Sequence, residues 1–313
     1  MSRSSPQRDA TALFLAGPTA SGKSGVALAL AMRLGGEIIS VDSMQVYRGL
    51  DIGTAKPSAT ERRAVPHHLI DVVDLTAPFD AVQFVALART AEADIRRRGR
   101  RPVFCGGTGL YFKAYLEGLG AGPASCPALR EELERTPLAD LLAELARGDP
   151  ATYAAIDRRN PRRVVRAVEV LRLTGRPVGA LRAAWSGPAP GNAAHPPCFG
   201  LRRSSEDLRR RIEARVEAMF AAGLVAETAA LRERGLEGNR TALQAIGYRQ
   251  VVEHLRGERS LAETVALVKA RTWQFARRQM TWFRHQMAVE WIDVGTDDSA
   301  DVVAERILER LNR

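Results

Sequence analysis

A complete phosphate-binding motif stands near the start of this chain of 313 residues. Residues 17–24 read Gly-Pro-Thr-Ala-Ser-Gly-Lys-Ser and follow the apolar run at 13–16, a pattern that predicts a strand, a glycine-rich turn and a helix over residues 24–34. The backbone N–H groups of such a turn, with the positive end of the helix dipole, bind di- or triphosphates. We expect Lys23 to contact the terminal phosphates and the Ser24 hydroxyl to hold Mg²⁺. Kinases, ATPases and group transferases all share this motif, so it does not choose between them.

Short apolar runs alternate with helical stretches through the first half of the chain. Strands are predicted at 13–16, 37–41, 68–72 and 103–105, and helices at 24–34 and 82–98. This alternation predicts an α/β fold, a P-loop NTPase-like parallel sheet flanked by helices, with ligands at the carboxyl ends of the strands. The segments 17–24, 42–47 and 106–111 each follow a strand, so we expect them to meet in one crevice.

The composition changes from about residue 118. A segment with frequent glycine and proline precedes a stretch rich in arginine and leucine, and a Pro-, Gly- and Ala-rich segment follows at 185–197. We interpret residues 123–197 as an inserted, mainly helical subdomain, and residues 1–122 and 198–313 as the catalytic core. The second part of the core has predicted strands at 198–201 and 289–294 and predicted helices at 206–222, 261–287 and 300–311.

The charge of the chain favours a polyanionic partner. The formal net charge is +10, and because only four lysines are present, nearly all the positive charge is arginine. Arginine binds phosphate through a planar fork and stacks on bases, which suits structured nucleic acid. The alternative is that the bias reflects codon composition and solubility alone. No run approaches the roughly 20 apolar residues of a membrane span, and the first residues form a short polar tail. We therefore expect a cytoplasmic protein without a membrane partner. We also expect it to be a monomer.

Two further segments carry candidate chemistry. Asp42 opens the sequence Asp-Ser-Met-Gln-Val-Tyr after the second predicted strand, and its carboxylate is suited either to act as a base or to support bound Mg²⁺. Thr108 lies within Gly-Gly-Thr-Gly, where the glycines allow close approach of a ligand; the alternative is an ordinary strand-to-helix turn. The three cysteines are too widely spaced for a metal module, and we interpret them as packing residues.

Taken together, the motifs resemble those of the bacterial tRNA dimethylallyltransferases, in order and over almost the whole chain. The matching segments are 17–24, 42–47, 51–57, 67–71, 106–111, 159–170, 244–249 and 277–284. The resemblance implies transfer of a dimethylallyl group from dimethylallyl diphosphate to N6 of adenine 37 in the anticodon loop of tRNA, with diphosphate released. It also implies that the glycine-rich turn holds the diphosphate of the prenyl donor, not ATP.

The same resemblance implies the residue roles. Asp42 is the general base, and Thr108 and Lys23 complete the catalytic set. Diphosphate binding falls to Gly17, Pro18, Thr19, Ala20, Ser21, Gly22, Lys23 and Ser24. Contacts with tRNA fall to Asp42, Ser43, Met44, Gln45, Thr108, Arg130, Arg162, Arg163, Val164, Val165, Arg166, Gln244, Ala245, Ile246, Gly247, Tyr248, Arg249, Arg277, Arg278, Gln279 and Arg284.

Helical spacing bears on two of these segments. Val164, Val168 and Leu171 share one face of a helix that Pro161 can begin, while Arg162 and Arg166 lie on the other, facing either RNA or solvent. Near the C-terminus, spacing places Leu261, Val265, Val268, Phe275 and Trp282 on one face, so we assign the aromatic residues there to packing.

Three other functions stay open from the residues. An isopentenyltransferase acting on free adenine nucleotide would share the core motifs but has no need of an arginine-rich insertion. A P-loop kinase for a small metabolite would share the core as well. An RNA-binding module without activity would leave the phosphate motif and Asp42 unexplained.

Overall fold

A computed structural model of the protein describes residues 11–120, 122–181 and 196–312. The strands are β1 (Leu13–Ala16), β2 (Gly36–Val41), β3 (His67–His68), β4 (Arg101–Gly106), β5 (Cys198–Arg202) and β6 (Glu290–Asp293). They form one parallel sheet in the order β3-β2-β4-β1-β5-β6. Parallel pairing needs a crossover after each strand, and helices supply these crossovers.

The α-helices of the described residues follow in chain order, and several begin at a residue whose side chain caps the first turn. They are α1 (Lys23–Leu34), α2 (Ala59–Ala64), α3 (Ala81–Arg97), α4 (Gly109–Glu117), α5 (Pro127–Arg135), α6 (Leu138–Gly148), α7 (Pro150–Ala155), α8 (Pro161–Thr174), α9 (Ser205–Ala221), α10 (Leu224–Glu233), α11 (Tyr248–Leu255), α12 (Leu261–Gln286) and α13 (Ala300–Leu311). Asp80 and Ser260 cap α3 and α12 through reciprocal hydrogen bonds with Gln83 and Glu263. Such caps satisfy the free N–H groups of a first turn.

The two faces of the sheet bury separate sets of apolar side chains. Leu13 and Leu15 of β1 pack with residues of α1 and α13 in one cluster, whereas Phe14 packs with residues of α3 and α4 in the other. Successive residues of a strand point to opposite faces, so the continuous apolar run at 13–16 fits a strand covered on both sides. The predicted α/β architecture is confirmed.

The strand predicted at 68–72 is wrong beyond its first residue. The sheet keeps only His67 and His68 there, pairing with Ile38 and Ile39. Leu69 (φ 62°) and Asp71 (φ 59°) take the left-handed conformation, which an extended strand excludes. The segment therefore turns away from the sheet as soon as it has paired.

The chain divides into two compact units, Met1–Leu116 with Gly187–Arg313, and Glu117–Ser186. The second unit starts and ends earlier than the sequence interpretation of 123–197. It contains α5 to α8 around a core that includes Leu133, Leu145 and Val168. The segment at 185–197 lies outside the described residues except for its last two. Nowhere in the described parts of the chain does a helix have the length and apolar character that crossing a membrane requires.

Candidate active site

The phosphate loop, residues 17–24, joins β1 to α1. Its backbone is left-handed at Ala20 (φ 64°) and at Gly22 (φ 94°), the residue that precedes the helix. Lys23 is the first helical residue, and its Nζ donates a hydrogen bond to the carbonyl oxygen of Pro18 at 3.2 Å. The loop thus folds its own ammonium group back over the turn.

Two cations at this loop are held in an environment that disfavours their charge. Burial lowers the pKa of the Lys23 ammonium below its ordinary value, and Arg215 contributes in the same direction, while Asp42 opposes the change. Burial also lowers the pKa of the Arg215 guanidinium. Because an anion placed between such groups stabilises both, the loop has the electrostatics of a phosphate site.

Three arginines hold the phosphate loop from outside, and sequence reasoning missed all of them. Arg203 Nε donates to the carbonyl oxygen of Ser21 at 2.8 Å, and Arg211 Nε to that of Ala20 at 3.1 Å. Arg215 Nη1 donates to Thr19 Oγ1 at 3.2 Å. Their numbers fall on one four-residue row that begins just before α9 and continues along it, and this spacing was the available signal.

The loop also carries the groups expected to meet phosphate and metal. Ser21 Oγ is buried and has no hydrogen-bond partner among the described residues, and its contact with the diphosphate stays a prediction. Ser24 is exposed and lines the same cavity as Asp42. Within the ranges that the structure describes, no group of three His, Cys, Asp or Glu residues is placed to hold a metal ion. A hydroxyl with one nearby carboxylate fits Mg²⁺, which takes most of its ligands from water and phosphate.

The aspartate loop, residues 42–47, follows β2. Asp42 Oδ1 accepts hydrogen bonds from the backbone N–H groups of Met44 at 2.8 Å and Gln45 at 3.2 Å. Among the described residues nothing donates to Asp42 Oδ2. One carboxylate oxygen therefore fixes the turn, and the other is free to accept a proton from a substrate.

The glycine loop, residues 106–111, follows β4 and lies against the aspartate loop. Thr108 Oγ1 accepts a hydrogen bond from the backbone N–H of Ser43 at 3.1 Å, and the N–H of Thr108 donates to Val41 O at 3.2 Å. A side chain at Gly106 would place its Cβ 2.0 Å from Val41 O. Glycine is therefore required at 106 for the two loops to meet.

The three loops line one cavity of about 350 Å³, which we call the reaction cavity. Its polar lining includes Lys23, Ser24, Asp42, Thr108 and Arg215, and its apolar lining includes Val216, Met219, Ile246, Val268 and Phe275. The expectation that the three motif loops meet in one crevice is confirmed. Phe275 is 37% exposed, so the prediction that it packs in the core is wrong.

The residues of the first unit that were predicted to bind tRNA separate into three groups. Ser43, Met44, Gln45, Gln244, Ala245, Ile246, Arg278 and Gln279 line the reaction cavity, and Arg249, Arg277 and Arg284 are exposed. Gly247 and Tyr248 are buried. Tyr248 is 0% exposed, and its hydroxyl accepts from Gly53 N at 3.1 Å and donates to Glu227 Oε1 at 2.5 Å. Its side chain anchors a loop and is not available to RNA, which corrects the prediction at this position.

The second unit places its predicted residues in two environments. Val164 and Val165 of α8 are buried in the core of the second unit, so their side chains do not reach RNA, whereas Arg162 and Arg163 are exposed. Arg166 does not project freely: with Arg130 it donates to Oε2 of the buried Glu169, at 2.7 and 2.6 Å. About one-third of each of these two arginine side chains remains exposed.

Comparison with known proteins shows the family. A family model described as IPP transferase matches residues 45–286, and one described as isopentenyl transferase matches residues 10–72. A tRNA dimethylallyltransferase of Trichlorobacter lovleyi is 46% identical over 284 residues, covering 90% of this chain and 92% of that protein. One of Geobacter metallireducens is 46% identical over 289 residues with the same coverage. The chain belongs to the IPP transferase family.

Solved structures agree with this assignment. The tRNA isopentenylpyrophosphate transferase of Bacillus halodurans has a TM-score of 0.69 and 37% identity, covering 97% of both chains. A eukaryotic dimethylallyltransferase described as acting on tRNA has a TM-score of 0.75 and 25% identity, and the match covers 95% of this chain and 77% of that one. Because these matches cover 97% and 95% of this chain, they include the sheet, the three loops and the second unit.

Proposed function

We propose that the protein transfers a dimethylallyl group from dimethylallyl diphosphate to N6 of adenine 37 of tRNA and releases diphosphate. The observation that carries the proposal is the reaction cavity, where cations at the phosphate loop and a carboxylate with one free oxygen line the same space. A prenyl transfer needs both: charge to accept the leaving group and a base for the incoming amine.

The leaving group is stabilised at the phosphate loop. As the allylic C1–O bond breaks, positive charge grows on carbon and negative charge on the diphosphate. Lys23, Arg215 and the backbone N–H groups of the loop stabilise that negative charge where it develops. Ser24 would hold Mg²⁺ beside the diphosphate, where the ion would supply further positive charge.

The nucleophile is activated by Asp42. The lone pair of an adenine amino group is delocalised into the ring, so removal of its proton assists attack. As N6 bonds to C1 of the prenyl group, Asp42 Oδ2 takes the N6 proton and the diphosphate departs with the C1–O electron pair. Base catalysis of this kind contributes about 10²–10⁴-fold to the rate.

The apolar part of the cavity suits the prenyl chain. Val216 and Met219 come from α9, Ile246 precedes α11, and Val268 and Phe275 come from α12. An apolar lining binds a five-carbon branched chain and excludes water, which would otherwise capture the developing cation.

A phosphate-rich partner accounts for the exposed arginines. Arg277 and Arg284 are exposed on α12 and form no ion pair within the described residues, and Arg162 and Arg163 are exposed on α8. We assign these side chains to the RNA backbone. Adenine 37 must leave its stack to enter the cavity, at a cost of a few kcal/mol that contacts with flanking nucleotides offset.

One transfer assay tests the substrate class. The protein is incubated with labelled dimethylallyl diphosphate, Mg²⁺ and one of three acceptors: an anticodon stem-loop with adenine at position 37, the same stem-loop with guanine there, or AMP. We expect label on the adenine stem-loop alone. Label on AMP would instead identify an isopentenyltransferase acting on free nucleotide. In a parallel incubation with ATP and small metabolites in place of the prenyl donor, phosphorylation of a metabolite would identify a kinase.

A further inference from the structure

Gln279 of α12 lies between the phosphate loop and the glycine loop. Its side-chain Oε1 accepts the backbone N–H of Thr19 at 2.8 Å, and its Nε2 donates to the carbonyl oxygen of Gly107 at 2.9 Å. One neighbour is a donor and the other an acceptor, so the orientation of the amide is fixed by the network. A single side chain therefore ties together two loops that are 88 residues apart along the chain (107 − 19).

Both polar atoms of Gln279 are engaged inside the protein. The residue is 8% exposed, and a Cβ at Gly107 would lie 2.3 Å from Nε2, so glycine at 107 is required for this contact. A buried amide with both ends paired has little left to offer an RNA phosphate. This placement separates Gln279 from Arg277 and Arg284, its exposed neighbours on the same helix.

The contact sets the geometry of the proposed reaction. Thr19 also accepts from Arg215, and Gly107 precedes Thr108, whose Oγ1 accepts the N–H of Ser43 beside Asp42. Gln279 thus joins the phosphate loop to the glycine loop, and Thr108, the next residue after Gly107, joins the glycine loop to the aspartate loop. A small displacement of the leaving-group site relative to the base lowers the reaction rate strongly.

We propose that Gln279 is a positioning residue that holds the leaving-group site in register with the base, and is not an RNA contact. The inference rests on the proposed function, since it assumes that diphosphate binds at the phosphate loop. Replacement by Met removes both hydrogen bonds and keeps a side chain of similar length. Replacement by Glu keeps the acceptor for Thr19 N–H but brings a second acceptor against Gly107 O, until that carboxylate takes up a proton and donates in place of the amide.

The test compares Gln279→Glu and Gln279→Met with the wild type at pH 6 and pH 8, at saturating stem-loop and prenyl donor. We expect kcat of Gln279→Glu relative to the wild type to be higher at pH 6 than at pH 8, as protonation restores the donor. The relative kcat of Gln279→Met should be low and independent of pH. The exposed Gln274 of α12 offers the matched control, because Gln274→Glu should follow the wild type at both pH values. Thermal unfolding at each pH shows whether the variants are folded.

Inorganic diphosphate binding without RNA gives the second readout. We expect binding to Gln279→Met to be about five- to tenfold weaker than to the wild type, with stem-loop affinity unchanged. Weaker stem-loop binding with unchanged diphosphate affinity and unchanged kcat would overturn the inference and make Gln279 an RNA contact. A kcat of Gln279→Met equal to that of the wild type would also overturn it. Failure of the wild type itself to bind diphosphate would instead count against the proposed function.

Discussion

Thr108 Oγ1 accepts a hydrogen bond from the backbone N–H of Ser43 at 3.1 Å, which joins the glycine loop to the residue next to Asp42. Serine at 108 can keep this bond, whereas valine has the shape of threonine and no acceptor. We expect Thr108→Val to lower kcat about tenfold, the effect of losing one partly buried hydrogen bond, and Thr108→Ser to retain most activity. Transfer kinetics at saturating substrates check this. Loss of activity in Thr108→Ser with activity retained in Thr108→Val would show that the methyl group, and not the hydrogen bond, is what the site needs.

The depressed pKa of Lys23 predicts how diphosphate binding depends on pH. Burial lowers this pKa below 10.5, and a bound diphosphate restores the preference for the ammonium. The contribution of Lys23 to diphosphate binding is therefore full and constant below its free-enzyme pKa, and it is lost as the pH rises through that pKa. We expect the affinity ratio between wild type and Lys23→Met to be large near neutral pH and to fall before pH 10.5 is reached.

Calorimetry of inorganic diphosphate binding to both proteins gives that ratio. Because the ligand titrates identically in the two measurements, its own ionisation cancels. A ratio that stays constant up to pH 10.5 would contradict a lowered pKa.

We expect Glu169 to contribute to the stability of the second unit in a pH-dependent way. Burial raises the pKa of its carboxyl, but hydrogen bonds from Arg166, Arg130 and the N–H of Cys126 outweigh burial, and the net pKa lies below its ordinary value of 4.5. A carboxyl with a lowered folded-state pKa stabilises the fold above 4.5, and this contribution is lost as the pH falls through the folded-state value. We expect Glu169→Gln to reduce the free energy of unfolding at pH 7 by about 1–3 kcal/mol, tempered by the exposure of the two guanidinium groups.

Urea unfolding of the full chain at several pH values measures this effect. The difference from the wild type should shrink below pH 4.5. The matched control is Glu131→Gln, in an exposed pair with Arg135 on α5, which should change stability little at any pH. A difference that persists undiminished in acid would assign the effect to packing.

The exposed arginines of α12 predict a salt-dependent effect on RNA binding alone. We expect Arg277→Ala and Arg284→Ala each to weaken stem-loop binding and to reduce the slope of log affinity against log salt by about one. Diphosphate binding should not change. Arg209→Ala, on an exposed arginine of α9 that pairs with Glu213, is the control. Unchanged slopes in both α12 variants would mean that this face of the helix meets only solvent.

Local patterns along the chain predicted much of the sheet and the loops. The run at 13–16 became β1, and the strand predicted at 198–201 became β5 with one more residue. The strand predicted at 68–72 failed because its end is set by a distant contact. Asp71 is held in a left-handed turn by ion pairs with Lys56 and Arg62, which the sequence of the strand itself does not contain.

Contacts between distant segments explain what the motifs missed at the site. Arg203, Arg211 and Arg215 reach the phosphate loop across more than 180 residues, and nothing near residue 17 indicates them. Charge and the family resemblance both assigned arginines of the second unit to RNA, but neither reveals that Arg166 shares a buried carboxylate with Arg130. Phe275 fitted the apolar row of α12, yet it lines the reaction cavity, because an apolar cavity wall and an apolar core have the same spacing.

The central claim is that the free oxygen of Asp42 removes the N6 proton while the phosphate loop holds the leaving diphosphate. Asp42→Asn tests it most directly, because asparagine keeps the oxygen that accepts from Met44 and Gln45 and loses the base. In single-turnover transfer to a saturating stem-loop, the account predicts a rate about 10²–10⁴-fold below the wild type, with stem-loop and diphosphate affinities unchanged. A rate within a few-fold of the wild type would contradict the account.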